Sequence, residues 1–220
     1  MYKRQALDEN GKSKQIPAYV PTTDEEKRVE DAALSRIQLR KAIEEEMLRQ
    51  TYTDKSTAPE LVNRFLAKPT DVNWGGNVHG GTAMEWIDEA ATACTMQWTG
   101  ERTTAVYAGG IRFYRPVHIG DLVEVDARLV RTDERSMTVM VHLRAGDPRE
   151  GKGKLPVAIH ASMTYIAVDL DGNPLQARKF TPVTSEDKRL EEHASTLRNL
   201  RKEFLPVSYT HLRAHETRHD

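Results

Sequence analysis

The central part of the chain alternates between apolar and polar residues. In residues 122–130 every second side chain is apolar, at Val123, Val125, Ala127 and Leu129. A period of two is typical of a strand with one face on a core and the other in water. Short connections rich in Gly, Asp and Pro favour antiparallel neighbours. The segments that fit this pattern are 61–66, 104–114, 122–130, 136–143 and 157–168.

A helical pattern interrupts the strands after residue 80. Its apolar residues recur at steps of three and four, at Met84, Ile87, Ala91, Cys94 and Trp98, which places them on one face of a helix. An antiparallel sheet with a single helix to cover its dry face must curl around that helix. We therefore predict an α+β domain over residues 58–182, with about five or six strands wrapped around one long helix.

The segments on either side of this domain are predicted as extensions. Residues 1–57 begin with a polar stretch without periodicity, followed by a charged helix from Thr23 to about Gln50, where Thr23 and Glu26 form a capping box. The apolar stripe of this helix is thin and consists of Val29, Ala33, Ile37 and Leu48. Residues 183–206 predict a second helix that packs outside the sheet.

Residues 207–220 contain a pattern that resembles a zinc site. His215, Glu216 and His219 satisfy the HExxH spacing, but the pattern needs a buried helix and a further ligand downstream, and the sequence stops at Asp220. The stretch VSYTHLRAHET also resembles the translation of a sequencing adapter. We predict a tail of foreign origin there, and no metal ligands.

Composition narrows the classes of protein. The 32 Lys and Arg balance 33 Asp and Glu, for a net charge of −1, so nucleic acid is not an expected partner. Cys94 is the only cysteine, which indicates a reducing compartment. No apolar run reaches the roughly 20 residues that span a bilayer, and no signal core is present at the N-terminus. The prediction is a cytoplasmic protein without a membrane span.

Two glycines stand where the central helix begins. A helix start leaves backbone N–H groups unpaired, and Gly80 and Gly81 have no side chain to keep a carbonyl oxygen away from them. Asp88 follows on about the same side of the helix, roughly 10 Å further along its axis. One copy of the helix therefore cannot offer both groups to one substrate, whereas two antiparallel copies can. Taken alone, the glycines also fit a tight turn, and Asp88 and Glu89 fit a solvated face.

The run Asn73-x-x-x-Asn77-Val78-His79-Gly80-Gly81, followed by Met84, Ile87 and Asp88, resembles the signature of hotdog-fold acyl-coenzyme A thioesterases. The resemblance extends over residues 58–182 and includes the segment GGIRFYRPVHIGDLVEV. It implies a hotdog fold, hydrolysis of an acyl-CoA to free acid and CoA, and a homodimer or dimer-based higher oligomer with its active sites at the interface. It implies no cofactor, because CoA is part of the substrate.

The resemblance also implies roles for particular residues. Asp88 would be the general base that activates water, Asn73 from the facing protomer would hold the water or the thioester, and Gly80 and Gly81 would donate to the oxyanion. His79 would bind or orient the substrate. Candidate contacts of the CoA phosphates are Arg112, Arg115, Arg135 and Ser136. Trp74, beside Asn73, would line or narrow the acyl pocket.

Two other functions remain compatible with the sequence. A hotdog hydratase or dehydratase would use the same fold on acyl-CoA with a histidine in the chemistry. A non-catalytic acyl-CoA or lipid-binding module would use the same pocket, with Asp88 merely solvated.

Overall fold

The computed structural model describes residues 6, 8, 9, 12, 14–53, 55–73, 75–150 and 155–204. Trp74 and the predicted foreign tail at 207–220 lie outside these residues. The elements, in chain order, are helix α1 (Asp24–Leu48), strand β1 (Glu60–Leu66), a short 3-10 turn (Pro69–Asp71), helix α2 (Gly80–Thr99), strands β2 (Arg102–Phe113), β3 (Leu122–Thr132), β4 (Ser136–Gly146) and β5 (Val157–Val168), and helix α3 (Ser185–Phe204).

The described strands form one antiparallel sheet in the order β1-β3-β4-β5-β2. The sheet curls around α2, whose buried side chains include Ile87, Ala91 and Cys94. Alternate residues of the strands face this helix and form the main core, among them Val125, Val139 and Tyr165. The predicted α+β architecture is confirmed. It forms because the strands of period two bury one face against the amphipathic helix between β1 and β2.

Helices α1 and α3 cover the opposite face of the sheet. A second apolar cluster joins them to it and consists of Ile43, Met47, Val130, Met140, Leu190, Ala194 and Leu197. The predicted position of α3 outside the sheet is thus confirmed. The capping box of α1 is also present, since the Thr23 hydroxyl accepts from the Glu26 N–H and Glu26 accepts from the Thr23 N–H.

The predicted apolar stripe of α1 was wrong in its members. Val29, Ile37 and Leu48 are exposed, whereas Ile43 and Met47 are buried. Only the C-terminal half of α1 crosses the sheet, where it meets β2 at Gly110. This glycine has a φ of +61°, and a Cβ there would lie 2.7 Å from the Met47 sulfur. The missing side chain therefore allows the helix to approach the strand.

No helix in the described part of the chain is long and apolar enough to cross a membrane.

A layer of buried polar side chains lies between the sheet and helices α1 and α3. The rings of His142 and His160 stack with centroids 4.1 Å apart, and the Tyr52 ring meets His142 edge-on at 4.2 Å. Burial lowers the pKa of His142 well below its usual value, and the repulsion that a charged His160 would exert lowers it further. Burial, followed by the charge of His193, lowers the pKa of His160 to about 3. Both histidines are therefore neutral at pH 7.

This layer predicts a loss of stability in mild acid. Below about pH 6.5 the unfolded chain binds protons at these histidines and the folded chain does not, so the free energy of unfolding falls by up to about 1.4 kcal/mol per pH unit for each one. We expect urea unfolding at pH 5.0 to show lower stability than at pH 7.5, and His160→Met to show a shallower decline. An equally steep decline in His160→Met would contradict the assignment.

Candidate active site

The loop before α2 is held in place by backbone hydrogen bonds at both of its sides. The His79 N–H donates to the Asp71 carbonyl at 2.7 Å, and the Val78 N–H donates to the Val117 carbonyl at 2.9 Å. Within the loop, the Asn73 N–H donates to the Asn77 carbonyl at 2.7 Å. These bonds fix the direction in which α2 begins and bring residue 73 next to its N-terminus.

The Asn73 side chain uses one end of its amide to fold this loop. Its Oδ1 accepts from the N–H groups of Gly75 at 2.7 Å and Asn77 at 3.2 Å. A Cβ at Gly75 would lie 3.3 Å from that oxygen, so the glycine helps the turn to close. Among the described residues the Asn73 amide NH2 has no acceptor, which leaves two donors available to a bound molecule.

His79 is the N-cap of α2. Its Nδ1 accepts from the Gly81 N–H at 3.1 Å, and a Cβ at Gly81 would lie only 3.0 Å from this nitrogen. The second glycine therefore has a local purpose, because it lets the imidazole fold over the first turn. The Gly80 N–H has no acceptor in the described part of the chain, so it is the donor of the glycine pair that is available to an oxyanion. The role of Gly81 as a donor to the oxyanion stays a prediction. It requires the Gly81 N–H to break its hydrogen bond to His79 Nδ1.

A cavity of about 300 Å³ opens beside Gly80. Its walls are mainly apolar and come from the start of α2, the end of β2 with the segment that follows it, and β5. They include Val78, Ala83, Phe113, Tyr114, Pro116, Val117 and Ile159. Arg115 also lines the cavity and is exposed. Arg115, one of the predicted phosphate contacts, thus lines the same cavity as Gly80, the predicted oxyanion donor. The apolar walls of this cavity suit an apolar group or a thioester.

The structure places the other predicted phosphate contacts elsewhere. The Arg112 guanidinium donates to the Arg40 carbonyl and lies 3.4 Å from the Glu44 carboxylate, so it is engaged with α1. Arg135 and Ser136 lie at the turn between β3 and β4.

This turn lies far from Gly80 within one chain. On β5, Ser136 pairs with Ile166, whereas Phe113 beside the Gly80 cavity pairs with Ile159. Seven residues of strand correspond to about 23 Å. A single chain therefore does not bring all four predicted phosphate contacts together.

Asp88 lies in the middle of α2 and is exposed. Its Oδ1 accepts a hydrogen bond of 2.5 Å from the Tyr165 hydroxyl. Tyr165 belongs to β5 and is completely buried. Sequence reasoning predicted Asp88 as a site residue and did not include Tyr165. The only indication of Tyr165 in the sequence was a residue with a hydroxyl at a core-facing position of an alternating strand.

Cys94 is not a nucleophile in this geometry. Its thiol is buried, and burial raises its pKa to about 11. The thiol lies 3.7 Å from the Pro59 carbonyl, to which it donates. These properties agree with the expectation that Cys94 is a small core residue.

Comparisons with known proteins agree with this fold. The model of the thioesterase superfamily matches residues 75–152. The acyl-CoA thioester hydrolase YciA of Salmonella typhimurium is 33% identical over 125 residues, which are 56% of this chain and 94% of the relative. The YciA protein of Escherichia coli is 32% identical over 116 residues, 52% of this chain and 88% of the relative.

Solved structures show the same relationship. A crystal structure of an apo-hexameric acyl-CoA thioesterase superposes with a TM-score of 0.63 and 25% identity, covering 69% of this chain and 96% of that chain. The hexameric thioesterase y2039 of Yersinia pestis is 30% identical, with a TM-score of 0.50. The match covers 53% of this chain and 94% of that chain. This chain belongs to the acyl-CoA thioester hydrolases of the thioesterase superfamily, which confirms the predicted hotdog fold and the predicted class of thioester hydrolase.

The cap geometry predicts how substitutions of His79 affect stability. His79→Ala removes the acceptor of the Gly81 N–H and should lower the free energy of unfolding by about 1 kcal/mol, whereas His79→Asn supplies another capping oxygen and should stay close to the parent protein. Urea unfolding of the two variants measures this difference. Equal stability of His79→Ala and the unsubstituted protein would contradict the capping role.

Proposed function

We propose that this protein hydrolyses acyl-CoA thioesters to a free carboxylic acid and CoA, with Asp88 as the general base for water. The observation that carries the proposal is the exposed Asp88 carboxylate, which accepts a hydrogen bond from the buried Tyr165 of β5. Asp88 shares helix α2 with Gly80, whose N–H has no acceptor among the described residues. A carboxylate and an oxyanion donor that can meet at one thioester are the minimum that water-dependent acyl transfer needs.

The proposed reaction uses side chains, backbone amides and water. The thioester carbonyl oxygen accepts from the Gly80 N–H, and the Asn73 NH2 holds the attacking water or the thioester. Asp88 takes a proton as the water oxygen bonds to the carbonyl carbon, which leaves a tetrahedral oxyanion. Collapse of this intermediate breaks the C–S bond, and the sulfur leaves as CoA after taking the proton that Asp88 accepted from water, which restores the Asp88 carboxylate.

We infer that these groups come from two chains. Gly80 and Asp88 are eight residues apart on α2, about 12 Å along the helix axis, whereas a base must lie within about 3 Å of the water that it activates. In a two-fold dimer the N-terminus of α2 in one subunit can instead face Asp88 of the partner subunit.

The sheet provides a place for this contact. Strand β2 is an edge strand, and a groove of about 590 Å³ runs along residues 108–114 with Met84 on one side and α1 on the other. An unpaired edge is a template for another strand, and we assign it to β2 of a second copy. The similar apo-hexameric thioesterase and the hexameric y2039 support a dimer-based higher assembly.

We also propose a cytoplasmic location. The single, reduced cysteine supports it, as does the 27% identity over 128 residues to the cytosolic acyl coenzyme A thioester hydrolase of Rattus norvegicus.

The central experiment replaces the proposed base. Asp88→Asn keeps the size of the side chain and an acceptor for Tyr165 but cannot take up a proton, so kcat should fall by about 10²- to 10⁴-fold. Release of free thiol from acyl-CoAs of several chain lengths measures the rate. The matched control is Glu89→Gln, a change of the same kind at the neighbouring exposed carboxylate, which should retain activity.

Three results would contradict the proposal. Turnover by Asp88→Asn at the rate of the unsubstituted protein would remove Asp88 from the chemistry. Hydration of an enoyl-CoA without thiol release would instead identify a hydratase, and binding of acyl-CoA without any turnover would identify a binding module.

A further inference from the structure

We propose that Tyr165 is a positioning residue for the reaction: its hydroxyl holds one oxygen of the Asp88 carboxylate and thereby directs the other oxygen toward the attacking water. This inference rests on the proposed function, because it requires Asp88 to be the base.

The contact joins a fixed side chain to an exposed one. The Tyr165 ring lies in the core between its strand neighbours Met137 and Ala105, with no exposed surface. Asp88 lies on the outer side of α2, where a short side chain can exchange rotamers freely. Since the phenol is held on all sides, the bond fixes the carboxylate and not the tyrosine.

The hydroxyl has three acceptors within reach and one proton to give. It lies 2.5 Å from Asp88 Oδ1, 3.3 Å from the Asp88 carbonyl oxygen and 3.7 Å from the Met163 sulfur. The shortest contact is to the charged acceptor, where a hydrogen bond is strongest. The proton is therefore directed to the carboxylate.

Tyr165 remains a donor throughout the working range of pH. Burial raises the pKa of its hydroxyl, the hydrogen bond to Asp88 raises it further, and the Thr92 side chain opposes the rise only in part. A donor that cannot ionise stabilises the charged form of its carboxylate partner. The hydrogen bond that orients the Asp88 carboxylate therefore keeps its donor.

The second carboxylate oxygen is left for the substrate side. No other hydrogen bond to the Asp88 carboxylate exists among the described residues, so Oδ2 is available to water. A base must be aligned as well as close, and small displacements reduce the rate strongly. Fixing one oxygen from inside the core supplies that alignment without using the solvent-facing side of the carboxylate.

A purely structural role would give different results in an experiment. A buried tyrosine hydroxyl needs a partner in any case, so the bond to Asp88 could matter only for folding. In that case removing the hydroxyl lowers stability and leaves the kcat of the folded protein unchanged. A positioning role lowers kcat and leaves KM nearly unchanged.

The test is Tyr165→Phe in the full-length protein. We expect kcat to fall roughly tenfold, the size expected for the loss of one hydrogen bond to a charged group, with KM nearly unchanged. The matched control is Tyr52→Phe, which removes a buried hydroxyl in the layer outside the sheet and should change neither quantity.

The double variant Asp88→Asn/Tyr165→Phe separates the inference from the proposed function. If Tyr165 acts through Asp88, the double variant should be no slower than Asp88→Asn alone. A full activity in Asp88→Asn refutes the proposed base whatever Tyr165 does. A loss in Asp88→Asn combined with an unchanged kcat in Tyr165→Phe refutes only the positioning role.

A measurement on the unsubstituted protein covers the case in which Tyr165→Phe does not fold. The proton resonance of the Tyr165 hydroxyl should shift with the same midpoint as the 13C resonance of the Asp88 carboxyl when the pH is lowered. A hydroxyl resonance that does not respond to this titration would overturn the proposal.

Discussion

The rise of the α-helix separates the two halves of the candidate site. Gly80 offers a backbone N–H at the start of α2, and Asp88 offers a carboxylate about 12 Å further along the same axis. No change of rotamer closes that gap, because the helix is enclosed by the sheet and cannot bend toward its own N-terminus. The groups can meet only if a second copy of α2 lies antiparallel to the first. Assembly is therefore part of the proposed chemistry and not an addition to it.

The same helix must also form the core of the domain. Its buried face carries small and medium side chains such as Ala90, Ala91 and Cys94, which let the curled sheet approach closely. Its other face carries Asp88 outward, and Tyr165 reaches from the core to that face. Packing and chemistry are thus joined in one contact, since the rigidity of the core is transmitted to the carboxylate by a single hydrogen bond.

The outer layer of α1 and α3 affects the site through strand β2. The close approach at Gly110 places α1 along the edge where we place the partner strand, and Arg112 is bound to α1 at Glu44. An extension that is absent from the predicted hotdog unit thereby becomes one side of the proposed dimer groove. In the proposed dimer, the C-terminal half of α1 would lie directly beside the contact between the two copies.

Sequence alone predicted the features that depend on local chemistry. Period two located the strands, the capping box located the start of α1, and a helical pattern located α3, because each of these is encoded by neighbouring residues. The positions of the glycine pair and Asp88 on one helix came from the same kind of pattern, whereas their predicted roles came from the family resemblance.

Features that depend on contacts between distant residues were missed. Tyr165 looks like any core aromatic until α2 is placed over β5, and the engagement of Arg112 requires α1 to cross β2. The members of the α1 stripe were wrong for the same reason, since periodicity does not say which half of a helix has a neighbour. His79 was assigned an orienting role, and its form as a helix cap emerged only from the backbone geometry.

Subunit mixing tests most directly whether the site is shared between chains. Asn73→Asp keeps the oxygen that folds its loop and removes the NH2 donors, and Asp88→Asn removes the base; each homodimer should be nearly inactive. When the two proteins are unfolded together and refolded, half of the dimers are mixed and each contains one intact site, so about a quarter of the original thiol release should return. If mixed dimers form and no activity returns, Asn73 and Asp88 act within one chain, and a site shared between two subunits is ruled out.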